Sequence, residues 1–246
     1  MTSLCKALES SDYQEIYHIV RNIEYTMTAL TKQGGKLSIQ HPHDLWQYAS
    51  TIHALTTHFD NKLNRALILD IGSGNSPLAP TLSYMYQTQV EEEDPDLEST
   101  MHRRHLNEIL ARLHKPEILR GRKEVSQLKD LGDYNAVCCL SVLQNLSLKQ
   151  EEKAWEVLSK LVRKNGILFL TLPIRQKMIG GLRTYTPKMI EERIQALSSL
   201  GFAAMGRPDY EYHGDYVADH SYFRIGMLKI DVANHVEAVY RKAAYV

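Results

Sequence analysis

A doubly wound α/β fold on a mostly parallel sheet is predicted by three features of the 246-residue chain. From about residue 65 onward, short apolar runs alternate with amphipathic stretches, the pattern of buried strands joined by crossover helices. The first run, Ala66-Leu67-Ile68-Leu69, stops at Asp70-Ile71-Gly72-Ser73-Gly74-Asn75-Ser76-Pro77, where the chain turns sharply. Ahead of it lie two stretches with apolar residues at helical spacing. They predict an N-terminal helical cap over residues 1–64 and a main domain over 65–246.

The first helix is expected over 12–33. Ser11 or Asp12 can cap it, Ile16, Val20, Ile23 and Met27 share a face, and Gln33-Gly34-Gly35 stops it. The second runs from near His43 or Asp44 to about Asp60, with Leu45, Tyr48, Ile52, Leu55 and Phe59 as its stripe. After the strand at 66–69, a helix is expected to about Gln87. Thr88–Glu93 reads as a strand ending at Asp94-Pro95-Asp96, although three consecutive glutamates are poor strand material. A polar helix over 98–113 and a strand over Ile118–Val125 follow.

Tyr134–Val142 reads as a buried strand. Lys149–Lys164 reads as a helix with Ala154, Val157, Leu158 and Leu161 inward, ended by Asn165-Gly166. Ile167–Leu172 is the next strand. Thr186 and Pro187 suit the cap and first position of another helix. Its inner stripe is Ile190, Ile194, Leu197 and Leu200, and Gly201 stops it. Strands are expected from Phe202 to Met205, extending toward Tyr212, and over Tyr222–Ile230.

Composition narrows the function. The 29 basic and 29 acidic residues cancel, so no whole-protein field draws the chain to nucleic acid or anionic membrane. The basic run from Arg103 through Arg104, Arg112, Lys115, Arg120 and Arg122 to Lys123 reads as a solvated helix face and loop, with RNA contact as the alternative. Cys5, Cys138 and Cys139 show no zinc spacing, and neighbours on a strand point to opposite faces. With no signal-peptide pattern and no apolar run of spanning length, a reduced, cytoplasmic protein is expected, without structural metal.

The chemistry concentrates at 70–77. Ligands of open α/β sheets sit beyond the carboxyl ends of the strands. A following helix N-terminus offers free N–H groups and a positive dipole end. A dinucleotide fingerprint would place glycine where Pro77 stands, and no P-loop pattern is present.

The segment LILDIGSGNSP resembles the first motif of the class I S-adenosylmethionine-dependent methyltransferases. The resemblance extends over roughly residues 43–230 through HDLWQY, Asp94 before Pro95, CLSVLQN, NGILFLTLP and RTYTPKMIEERIQALSSLGF. It implies a seven-stranded sheet, S-adenosyl-L-methionine as cofactor, and a set of contacts. Asp70, Gly72, Ser73 and Gly74 would hold the methionine part, with Asp70 on its ammonium. Asp94 would take the ribose hydroxyls, Glu124 and Val125 would lie by the adenine, and Leu140 and Ser141 along the methionine part. Trp46 and Tyr48 in the preceding helix either line the site or pack in the core.

The acceptor is less defined. The fourth-strand segment lacks [DNS]PP[YF] and carries Gln144 and Asn145 where a histidine base stands in many small-molecule enzymes. The segment 210–222, rich in His, Asp and Tyr, is the substitute. It can be a surface loop, an acceptor pocket with His220 or His213 as base, or a metal-binding set of His213, Asp215, Asp219 and His220. The stretch from Pro173 to Gly181 can act as a lid. The expected activity is O- or N-methylation of a small molecule or saccharide. RNA methylation and a non-catalytic scaffold are the alternatives.

Overall fold

The computed structural model describes residues 13–39, 42–60, 62–129, 133–174, 185–204 and 221–229. Two helices, α1 (Tyr13–Thr31) and α2 (Pro42–Phe59), lead into β1 (Leu67–Ile71), α3 (Leu78–Tyr86), β2 (Gln89–Glu93) and α4 (Leu97–Arg112). Then come β3 (Ile118–Gly121), β4 (Tyr134–Leu140), α5 (Leu148–Leu161), β5 (Val162–Ile174), α6 (Pro187–Ser199), β6 (Phe202–Ala204) and β7 (Ser221–Lys229). The strands lie in the order β3-β2-β1-β4-β5-β7-β6. The first five are parallel, and β7 is antiparallel to both β5 and β6. This is the mostly parallel, helix-flanked architecture that the strand–helix alternation predicts.

Strand periodicity sorts the core onto two faces. Leu69, Ile71, Val137, Cys139, Leu168 and Leu170 pack with residues of α5 and α6. Ile68, Val90, Ala136, Cys138, Ile167 and Phe169 pack with residues of α1 to α4. Cys138 and Cys139 are free, buried and on opposite faces, as the strand pattern requires. Buried Ile16, Ile19, Ile23 and Leu30 of α1, and Ala49, Ile52 and Leu55 of α2, belong to the same cluster as the sheet residues. The two N-terminal helices are thus built into the main core.

Several expected boundaries move. The helix α5 stops at Leu161, and Val162 already pairs with Tyr134. Asn165 (φ +61°) and Gly166 therefore do not end a helix; they sit where the β4–β5 register shifts. A Cβ on Gly166 would meet the Asn135 carbonyl oxygen at 2.8 Å, which explains the glycine. Strand β3 ends at Gly121, because Val125–Gln127 fold into a 3₁₀ turn. Leu200 is 54% exposed, since the helical path ends at Ser199 and takes it off the inner stripe. The N-cap of α6 is as expected, with the Thr186 side chain accepting from the Met189 N–H.

The three-glutamate strand forms because each carboxylate has a partner. Glu91 accepts from the Tyr134 hydroxyl, Glu92 pairs with Arg103 and Arg120, and Glu93 accepts from the Lys123 N–H. Arg103 and Arg120 are accordingly not part of a solvated basic face. Arg103 is buried at 3% exposure, and the Arg120 side chain at 6%. Arg104, Arg112, Arg122 and Lys123 remain exposed. Among the described residues, no helix is long and apolar enough to cross a membrane.

Candidate ligand site at the carboxyl ends of the strands

The central strand β1 delivers Asp70 to its tip, between β2 and β4, where the carboxyl is 2% exposed. Among the described residues its Oδ2 has no hydrogen-bond partner, and neither does the buried Ser73 hydroxyl. Burial first, then the like charge of Glu92, holds the Asp70 carboxyl well above the usual carboxylate range, against the pull of Arg103 and Arg120.

The two glycines of the turn have different reasons. Gly72 (φ +68°) donates its N–H to the Glu93 carbonyl oxygen at 2.8 Å, and a Cβ there would lie 2.4 Å from Val142 Cγ2. Its side-chain direction is taken up by close packing against Val142, just past the end of β4. Gly74 (φ +52°) is the opposite case, because a Cβ would meet nothing within 4 Å among the described residues. Its side-chain direction is open space, the property expected of backbone that a ligand approaches.

Asp94 follows the last residue of β2 and is buried. Its Oδ2 accepts from the Gly74 N–H at 2.6 Å, and its Oδ1 from the Asp96 N–H at 2.8 Å. Arg120 Nη2 stands 3.8 Å from Oδ1. Asp94 thus ties the glycine turn to β2. Arg103, from α4, reaches beneath the turn. Its Nη2 lies 2.7 Å from Glu92 Oε1, 3.4 Å from the Gly74 carbonyl oxygen and 3.5 Å from that of Ser76.

At the tip of β4, Ser141 adopts φ +56°, uncommon for a residue with a side chain. Contacts with three residues hold it there. Its N–H donates to Thr171 Oγ1 at 2.9 Å, its Oγ donates to Gln47 Oε1 at 3.3 Å, and its carbonyl accepts from Asn145 Nδ2 at 3.2 Å. Leu140, 8% exposed, precedes it. Gln144, beyond the tip, has a buried Oε1 with no partner among the described residues. Helix α2 contributes a second residue, Tyr48, whose phenol interacts with the Ser76 side chain. Burial and then the charges of Asp44 and Asp70 push that phenol's titration upward.

Glu124 and Val125 sit at the 3₁₀ turn beyond β3. Val125 is buried. The Glu124 carboxylate accepts from Ser126 Oγ at 2.7 Å and from Gln150 Nε2 at 2.9 and 3.0 Å. The structure thus brings Asp70, Ser73, Gly74 and Asp94 together around one turn. Glu124 is spoken for by side chains of its own neighbourhood. His213, His220 and the other ligating residues proposed in 210–220 lie outside the described residues, as does the greater part of the 173–181 stretch. Ser221, the residue after His220, pairs with Ile174 at the carboxyl end of β5. Gln47, Thr171 and Arg103 are the contributors that sequence reading missed.

No protein-family model and no curated protein matches the chain. Solved structures do. The magnesium protoporphyrin IX methyltransferase of Synechocystis with bound S-adenosylhomocysteine superposes with a TM-score of 0.54 at 17% identity, covering 74% of this chain and 81% of that one. The [4+2]-cyclase SpnF gives 0.56 at 14% identity, covering 85% and 93%. An S-adenosylmethionine-dependent methyltransferase from Clostridium acetobutylicum gives 0.51 at 10% identity, covering 72% and 89%. Likeness at such identities is likeness of fold, and it agrees with the strand order and the acid–glycine turn: the chain has the fold of the class I S-adenosylmethionine-dependent methyltransferases.

Proposed function

We propose that this protein binds S-adenosyl-L-methionine at the β1 turn and transfers its methyl group to a small molecule or saccharide. The observation that carries the reading is that two of the buried side-chain atoms without a partner among the described residues, Asp70 Oδ2 and Ser73 Oγ, stand at one turn beside the open space at Gly74. Orphaned buried polar atoms are rare in folded proteins and mark a missing partner. A carboxylate fits an ammonium, a serine hydroxyl fits a carboxylate, and Asp94 fits a ribose diol. Glu124 and Val125 are assigned to the adenine end, and Leu140 and Ser141 to the methionine end.

When bound, the cofactor supplies an electrophilic methyl group on a sulfonium. The chain's own part is to bind, orient and exclude water. Asp70, Ser73 and Gly74 fix one end and Asp94 the other, and much of the rate advantage of such a displacement is placement. Gln144 and Asn145 stand where a base would be expected and cannot act as one near neutral pH. Histidine can, so His220, or else His213, is assigned as the base, with Asp219 or Asp215 orienting it. The zero net charge, together with burial of Arg103 and Arg120, favours a small acceptor over RNA. Nothing in the reading calls for a membrane, and a cytoplasmic location fits it.

Calorimetry with S-adenosylhomocysteine tests the binding half. Binding is expected, and Gly74→Asn, which tolerates the left-handed backbone and fills the open space, should fold normally and bind at least tenfold more weakly. A folded wild-type protein that fails to bind overturns the reading. Once an acceptor is found, His220→Ala or His213→Ala should lower turnover by about a hundredfold or more with cofactor affinity unchanged. Equal turnover in both variants removes the histidines from the mechanism.

A further inference from the structure

We propose that the site takes up its cationic ligand in exchange for a proton held by Asp70. The inference rests on the cofactor reading, which supplies the ammonium.

The sheet register makes the case. Asp70 of β1 stands directly beside Glu92 of β2, and Glu92 directly beside Arg120 of β3. On its other side Asp70 pairs with Cys138 of β4. Directly opposed residues on neighbouring strands point to the same face, so two carboxyls sit side by side in the interior. Both cations near Asp70 among the described residues are bonded to Glu92. Arg103 grips it with Nε and Nη2, each at 2.7 Å, and Arg120 Nη1 donates to it at 3.1 Å. Arg120 also leans toward Asp94. Three carboxyls, Asp70, Glu92 and Asp94, thus face two guanidiniums.

Among the described residues, the remaining titratable groups near Asp70 are the Cys138 thiol on its own face of the sheet, the Cys139 thiol on the other face, and the Tyr48 phenol from α2, which also feels Asp44. None of these is a cation. An ionised Asp70 would be a buried charge with an unpartnered oxygen beside a like charge, which a low-dielectric interior strongly disfavours. The neutral carboxyl removes the conflict. A ligand ammonium placed at Oδ2 reverses the balance: the Asp70 proton passes to solvent buffer, the carboxylate pairs with the ammonium, and the ammonium keeps its own three protons.

The test is titration of S-adenosylhomocysteine into the full chain in two buffers of equal pH and different ionisation enthalpy. Release approaching one proton per ligand is expected near neutral pH. Affinity should rise by up to about tenfold per pH unit while free Asp70 is protonated. Asp70→Asn keeps the shape without a titratable proton and should bind with no release and a flat pH profile. The infrared difference spectrum between the ligand-free wild type and Asp70→Asn should show a protonated-carboxyl band. Binding without buffer dependence, or absence of that band, overturns the exchange and leaves the cofactor reading standing. No binding at all, with the band present, overturns the cofactor reading and the exchange that rests on it.

Discussion

Asp70 is stable in the free protein only at the expense of its charge. Its folded titration lies well above its unfolded one, through burial and then Glu92. Such a carboxyl takes up a proton on folding. The stability it contributes is fully present below the unfolded range and is lost as pH rises through the folded one. Asp70→Asn loses nothing over that interval. The ligand-free Asn variant should therefore match or exceed the wild type in melting temperature above neutral pH. The gap should close as pH falls toward the ordinary carboxylate range. Thermal melts of both proteins across pH measure this, and a wild type more stable than Asp70→Asn at alkaline pH would contradict it. A residue that weakens the free fold and serves the bound state is the kind of trade a binding site makes.

One scale up, the turn after β1 is held by neighbouring elements as much as by its own residues. Helix α4 sends Arg103 under it, β2 ends in Asp94 against the Gly74 N–H, and α2 reaches Ser76 and Ser141 through Tyr48 and Gln47. Removing Arg103 would leave Glu92, fully buried, with Arg120 as its remaining ion-pair partner among the described residues. Breaking a buried pair from one side typically costs about 3–5 kcal/mol. Arg103→Met should lose about that much stability, and adding Glu92→Gln should restore part of it. Urea unfolding of the single and double variants gives the coupling. Additive losses would show that the two residues do not act as a unit.

These cross-element ties also mark the limit of what was legible in the sequence. Asp70, Gly72 and Gly74 stand in one strand-and-turn pattern, and Asp94 ends the next strand, so local order alone places them. Gln47 meets Ser141 across 94 positions, Arg103 meets Gly74 across 29, and Thr171 meets Ser141 across 30. No periodicity within a window reveals such partners. The same cause misled the reading of 103–123. A basic run looks solvated until the buried Glu92 that needs two of its arginines is placed beside it. Asn165-Gly166 misled in another way, because a left-handed residue followed by glycine serves a register shift as well as a helix end.

At the scale of the whole molecule, the N-terminal helices decide whether the sheet and the site are one unit. One face of the sheet is covered in part by α1 and α2, whose Ile23, Leu30, Ile52 and Leu55 are fully buried in the cluster that holds Ile68, Ala136 and Cys138. The chain between them touches the turn as well, since the Ser38 N–H donates to the Asn75 carbonyl oxygen at 3.0 Å. A helical cap merely resting on a finished domain would melt by itself and leave the sheet intact. Helices sharing the sheet's core cannot, because their loss would expose the apolar face of β1 and β4. Leu55→Ala should then lower the stability of the entire described fold by about 2–5 kcal/mol in a single transition. It should also weaken S-adenosylhomocysteine binding at temperatures near that transition, through the population of unfolded chain. In a Trp46→Phe background, because Trp46 lies in α2 itself, circular dichroism, which follows the helices, and near-ultraviolet absorbance of Trp155, buried against the sheet on the opposite face, should report the same midpoint in the variant. A helical signal that melts ahead of Trp155 would show α1 and α2 to be a separate unit.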